Sequence, residues 1–121
     1  MPKNGPGLAD NGNFVLSEFE ASAAPLQGDG AKSRPVHFGR TTSDWSQEGY
    51  PVAHAVDGNP QTGWAINVGK GQGSANVDRE AIFIIEKPIE QPGGTRLTFR
   101  FQQKHGTTKY LIGRFRLSVC S

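Results

Sequence analysis

Toward the end of the chain, hydrophobic and polar residues alternate one for one. In TRLTFRFQQK, Leu97, Phe99 and Phe101 fall between Arg96, Thr98, Arg100 and Gln102. In GRFRLSV, Phe115, Leu117 and Val119 fall between Arg114, Arg116 and Ser118. Successive side chains of a strand point to opposite faces, so a period of two predicts two strands, each with one face buried and one wet. Upstream, NFVLSEFEASAA at 13–24 combines aromatic and β-branched residues and reads as a first strand, and PVHFGRT at 35–41 as a second. EAIFIIEKP holds a continuous apolar run suited to a buried central strand. The intervening stretches 25–34 and 42–50 read as loops, the latter carrying two aromatics. PVAHAVDG begins with Pro51, and proline suits the first position of a single helical turn. No segment sustains a 3.6-residue repeat. The predicted fold is all-β, a β-sandwich of the jelly-roll kind.

Composition narrows this to one domain. Halves of a 121-residue chain would be too small to be stable without staples. Sixteen glycines and eight prolines agree with short elements joined by turns. Residues 1–12 read as a polar linker or lead, and 13–121 as a single β-sandwich. No stretch approaches the ~18 apolar residues of a membrane-spanning helix, and a basic region followed by an apolar signal core is missing from the start, so no membrane insertion is expected. Cys120 is the only cysteine, which rules out an internal disulfide; one residue from the end of the chain it also makes a poor nucleophile, which needs rigid support beside a base. The net charge of +2 conceals an asymmetry: residues 1–60 hold four Lys/Arg against seven Asp/Glu, and residues 61–121 hold nine against four. The halves therefore carry −3 and +5, a mild pointer to an anionic partner for the second.

The chemistry-bearing motifs are few. GKGQGS at 69–74 could bring backbone amides to a phosphate, but a phosphate-binding loop needs GxxxxGK[ST] between a strand and a helix, so a loop is the better reading. The histidines are His37, His54 and His105; no GxSxG elbow is present and no spacing ties a serine to a base. Glu18 and Glu20 are two apart on one strand, a single short element without the second wall of a cleft, so they do not make a glycosidase pair. The expected protein is not an enzyme. The segment AVDGNPQTGW at 55–64 stands apart. Asp57 offers a hard carboxylate, Thr62 a hydroxyl and a carbonyl, and the turn through Gly58 and Pro60 can aim further carbonyls inward, the oxygen-rich irregular shell that calcium favours. One carboxylate is too little charge for that ion. The residues leave two readings open: a cation turn completed by an acid from elsewhere, or an Asx-turn that caps itself, with Trp64 entering the core.

GYPVAHAVDGNPQTGWAI resembles the discoidin-like, galactose-binding (coagulation-factor C-type) domains, whose hallmark is a small residue, an apolar residue, Asp-Gly-Asn, then Thr-x-Trp. Those domains typically end in a strand of the form L-S-E-I-E-V whose first glutamate ligates the same cation. Here VLSEFEA lies at 15–21, near the beginning, and IGRFRLSV carries Arg114 where that glutamate would fall, so the resemblance implies a rearranged order in which the first strand takes the closing strand's role. NGPGLADNGNFVLSEFE, the Asp-Gly motif and LIGRFRLSV together also resemble a module of large Planctomycete cytochrome-c-associated multidomain proteins. Carried over, the resemblance implies a structural calcium ion held by the Asp57 carboxylate, Thr62 hydroxyl and carbonyl, the carbonyls of His54, Asn59 and Ser17, and the Glu18 carboxylate.

The same resemblance implies recognition of sugars, phospholipid headgroups or proteins through loops at one rim of the sandwich, and the expected reading is a carbohydrate-binding module for a polysaccharide or oligosaccharide. Sugar rings need an aromatic platform and a few convergent polar groups. The candidates are Trp45 and Tyr50 as platform, with Arg40, His37, Lys104 and His105. Arg96, Arg100, Arg114 and Arg116 share strand parity and would form one cationic face suited to sulfated or uronic polysaccharide, or else a solvated face paired with Glu86 and Glu90. No aromatics interleave with those arginines, so nucleic acid is not an expected partner. The alternative to a sugar-binding module is a structural or protein-interaction module with no sugar site, packed against neighbouring domains of a parent protein. Either reading implies an extracytoplasmic or secreted location within a larger protein.

Overall fold

A computed structural model describes residues 5–26, 32–68, 76–90, 93–106 and 109–120. It is all-β: β1 is Val15–Leu16, β2 Glu18–Pro25, β3 Arg34–Val36, β4 Phe38–Ser43, β5 Trp64–Ala65, β6 Ala81–Ile85 and β7 Thr95–Gln102. One 3-10 turn, Val52–Val56, follows Pro51, where the proline predicted it. The pairs are antiparallel throughout, in sheets ordered β1-β5, β3-β2-β7 and β4-β6, an arrangement consistent with a β-sandwich.

The backbone of the fold is the β2–β7 ladder, which runs unbroken from Glu18↔Gln102 to Pro25↔Thr95. Both strands alternate, so pairing them in this register puts Phe19, Ala21 and Ala23 on the face that carries Phe101, Phe99 and Leu97. Phe19 is the hub between layers. Its ring stacks on Phe99 (5.8 Å) in its own sheet and on Phe38 (5.4 Å) from β4, and lies 4.7 Å from Phe83 of β6. Phe19 belongs to one core cluster with Phe14, Leu16, Val52, Ala55, Trp64 and Ile66, in which Phe14 lies edge-on to Trp64 at 5.1 Å. Gly63 is required here, because a Cβ would lie 2.8 Å from Val15 Cγ1 and 2.9 Å from Leu16 O.

Three expectations need correction. PVHFGRT does not form one strand: the chain breaks at His37 and passes from β3 in one sheet to β4 in another, with a register shift between Phe38 and Thr41. The apolar run of β6 is not a buried central strand. Among the described residues it pairs with β4 alone, and Ile82 and Ile84 on its outer face are 52% and 50% exposed. Among the described residues no strand follows β7. The segment 114–120 makes no backbone pair among the described residues, with Phe115, Leu117 and Val119 at 61%, 42% and 68% exposure, so Arg114 and Arg116 do not join Arg96 and Arg100 in one sheet face. Alternation fixes which residues share a face; it does not supply a neighbouring backbone.

The backbone that the segment 110–113 does find comes from upstream. Leu8 N donates to Leu111 O and Gly113 N to Pro6 O, both 2.8 Å, around a bridge between Gly7 and Ile112. Residues 5–7, 9 and 12 are buried, so the stretch expected to be a lead is, from residue 5 on, part of the folded body.

Candidate functional site

The 3-10 turn delivers the chain into a tight loop that organises itself around Asp57. Gly58 follows with φ 76°, a left-handed conformation that glycine takes freely. Asp57 Oδ1 accepts the Asn59 amide (2.9 Å), Asn59 Oδ1 accepts the Gln61 amide (3.0 Å), and the Thr62 amide closes on Asn59 O (3.1 Å). Thr62 Oγ1 donates to Asp57 Oδ2 in a short bond. These are the side-chain-to-backbone bonds by which Asx residues build turns. The turn then feeds Trp64 into the core, where its indole N–H donates to Trp45 O at 3.0 Å.

Glu18, the first residue of β2, reaches this turn from the opposite direction. It is 4% exposed, and its Oε1 is buried without a hydrogen-bond partner. Burial, then the hydrogen bond to Asp57 and the charge on that neighbour, push its carboxyl up from 4.5 to about 7, while the Gly58 and Asn59 amides pull weakly the other way. Burial opposes ionisation of Asp57 too, but donation from Thr62, the Asn59 amide and Glu18, with His54 nearby, holds its carboxyl below the ordinary aspartate range. The two acids divide their roles accordingly: Asp57 is the anion and Glu18 retains a proton near neutrality.

The other predicted ligands lie around this pair. Ser17 is 1% exposed, with its amide donating to Gln102 O (2.8 Å) and its Oγ accepting the Lys104 amide (2.9 Å). The His54 amide bonds Pro51 O at 3.0 Å, and its Nδ1 is buried without a partner. Among the described residues no three His, Cys, Asp or Glu side chains converge, so the acidic component of the site is the two carboxylates.

Beside the turn opens a small pocket of about 60 Å³, whose walls include Ser17, Tyr50, Gln61, Thr62, Lys104 and His105. His105 stands edge-on to two tyrosines, 6.2 Å from Tyr50 and 5.1 Å from Tyr110. Three of the predicted sugar-binding residues, Tyr50, Lys104 and His105, therefore meet around one cavity. The other three do not. Trp45 packs against the core, donates to Asn67 O (3.3 Å), and lies under the Arg79 guanidinium at 5.7 Å. Arg40 is exposed on β4, and His37 lines a separate open groove of about 650 Å³ with Phe38, Val36 and Glu86. Gln61 and Tyr110 were not singled out from sequence; Gln61 sits inside the Asp57 turn, and Tyr110 is the aromatic that follows QQKHGTT. The basic face resolves into a pairing of Arg100 with Glu20 at 4.0 Å, not with Glu86 or Glu90. The glycine-rich span 69–74 lies outside the described residues.

No protein family, curated protein or solved structure matches the chain.

Proposed function

We propose that the protein is a non-catalytic, discoidin-like jelly-roll module that binds a glycan at the rim pocket and is braced by a structural calcium ion at the adjoining turn. The observation that carries this reading is a shared wall: Ser17 and Thr62, neighbours of the two carboxylates, also line the cavity beside Tyr50 and His105. The donor set suits a hard divalent cation. Two carboxylates would balance its charge, carbonyls of the turn and of Ser17 would complete an oxygen shell, and the buried unpartnered Oε1 of Glu18 is a lone pair in want of a donor or an ion. When bound, calcium would clamp the start of β2 to the turn and so set the floor of the pocket. Tyr50 and His105 offer ring faces and edges to a pyranose, and Gln61 and Lys104 offer hydrogen bonds to its hydroxyls. At about 60 Å³ the cavity is well below the roughly 300–1,000 Å³ of drug-sized ligand sites, so it would seat one edge of a single sugar ring and not a long polymer. The module would serve within a larger extracytoplasmic protein.

The test is a glycan-array screen of the full chain with calcium and with chelator, repeated for Tyr50→Ala. Calcium-dependent hits lost in Tyr50→Ala support the reading, and no hit under any condition refutes it. A second reading, a protein-interaction module without a sugar site, draws on a different observation: the large apolar side chains Phe115, Leu117, Val119, Ile82 and Ile84 are exposed.

A further inference from the structure

The lining of the rim pocket is one-sided in charge. Around it stand the basic side chains of Lys104 and His105, together with the polar groups of Tyr50, Gln61, Thr62 and Ser17; no aspartate or glutamate is among the described lining residues. The nearest acids are already engaged. Asp57 takes the Thr62 hydroxyl and the Asn59 amide, and Glu18 is turned toward Asp57. Lys104, like Arg40, Arg96 and Arg114, makes no ion pair among the described residues, so its charge is not neutralised by an acid beside the pocket. Its backbone is nonetheless fixed, because its amide donates to the buried Ser17 Oγ at 2.9 Å. A positively charged side chain on an anchored backbone, at the mouth of a pocket without acids, is a counter-charge awaiting a ligand.

Resting on the glycan-binding reading, we propose that the sugar this pocket takes is acidic, with its carboxylate or sulfate ester against Lys104 and His105 and its ring against Tyr50. The charged group supplies the selectivity. A neutral sugar would leave the ammonium with water and gain only ring contact and hydroxyl bonds, whereas an acidic one adds a charge-assisted hydrogen bond, about twice as strong as a neutral one. The half of the chain from residue 61 on, which contributes Lys104 and His105, carries the +5 balance that adds a longer-range attraction in the same sense.

The experiment is calorimetric titration of the full chain, in calcium at fixed ionic strength, with trigalacturonate, galactose 6-sulfate and neutral galactotriose. Acidic probes are expected to bind about tenfold or more tightly than galactotriose, with that advantage abolished in Lys104→Met and reduced at high salt. Lys104→Met keeps the backbone amide that bonds Ser17, and an unchanged melting temperature verifies its fold. Preference for trigalacturonate identifies a carboxylate ligand and preference for the sulfated sugar an ester; either supports the inference. Equal binding of galactotriose, or an acidic preference that survives in Lys104→Met, overturns it while leaving the glycan-binding reading intact. If none of the three binds and the array is also blank, both fall.

Discussion

Glu18 makes a direct test of the carboxylate turn. Its carboxyl is buried against Asp57 and its folded value is about 7 against an ordinary 4.5. A group that holds its proton more tightly in the folded state favours folding while protonated, so the contribution is complete below about pH 4.5. It is lost as pH rises, and the loss is complete above about pH 7. The difference of roughly 2.5 units, at about 1.4 kcal/mol each, makes the chelated protein about 3 kcal/mol less stable at pH 8 than at pH 4.5 from this group alone. Asp57 acts in the opposite sense and at lower pH, since its depressed value stabilises the fold above the ordinary 3.8 and that contribution fades as pH falls through it. The window from pH 4.5 to 7 therefore belongs to Glu18. Urea unfolding followed by tryptophan fluorescence, in EGTA and at half-unit pH steps, measures it. Glu18→Gln, which keeps the shape without the proton, is expected to flatten the profile across that window. Calcium is expected to flatten it from the other side, because a cation favours the ionised carboxylate and its binding weakens as pH drops below about 7. A flat profile in the native chain, or an unchanged slope in Glu18→Gln, refutes the assignment.

The remaining predictions address other joints of the structure. Calcium at about one hundred times its dissociation constant should stabilise the native chain by about 2.7 kcal/mol, read as a rise in melting temperature, and Asp57→Ala should abolish that rise. Phe19→Ala removes the ring shared by both layers and should destabilise by about 3–5 kcal/mol in urea titrations. Gly63→Ala brings a methyl within 2.9 Å of Leu16 O, a backbone atom that cannot rotate away, and should destabilise by about 1–3 kcal/mol. Leu117→Lys should leave folding stability within about 0.5 kcal/mol, since the side chain is already 42% exposed, and if the apolar segment is an interaction surface it should reduce self-association seen by sedimentation.

Legibility from sequence followed the physics of each element. β2 and β7 were readable because each buries one face, and burial of one face is what produces alternation. The 3-10 turn and the Asp57 loop were readable because Pro51, Gly58 and the Asx residues each impose their own local geometry. Bringing Glu18 to Asp57 required the resemblance, since a contact between distant segments leaves no local trace. β6 and the segment 113–120 were misread for a related reason. Apolar content says that a residue prefers cover, but the cover must come from another element; Ile84 stays half exposed, and Phe115, although its ring touches Phe101 at 4.8 Å, stays 61% exposed. Trp45 shows the ambiguity of a large aromatic in a polar loop: the same ring that could stack on a sugar instead anchors its loop on the core beneath Arg79.

The bridge between Gly7 and Ile112 has a topological consequence. Residues far apart in the chain lie side by side there, so the described body between them is nearly a closed loop. Such a body can be cut open at a different turn and rejoined by a short splice across Pro6 and Gly113, with every sheet pairing retained. It can equally be dropped into an exposed loop of a host protein, since the two host ends need not be forced apart.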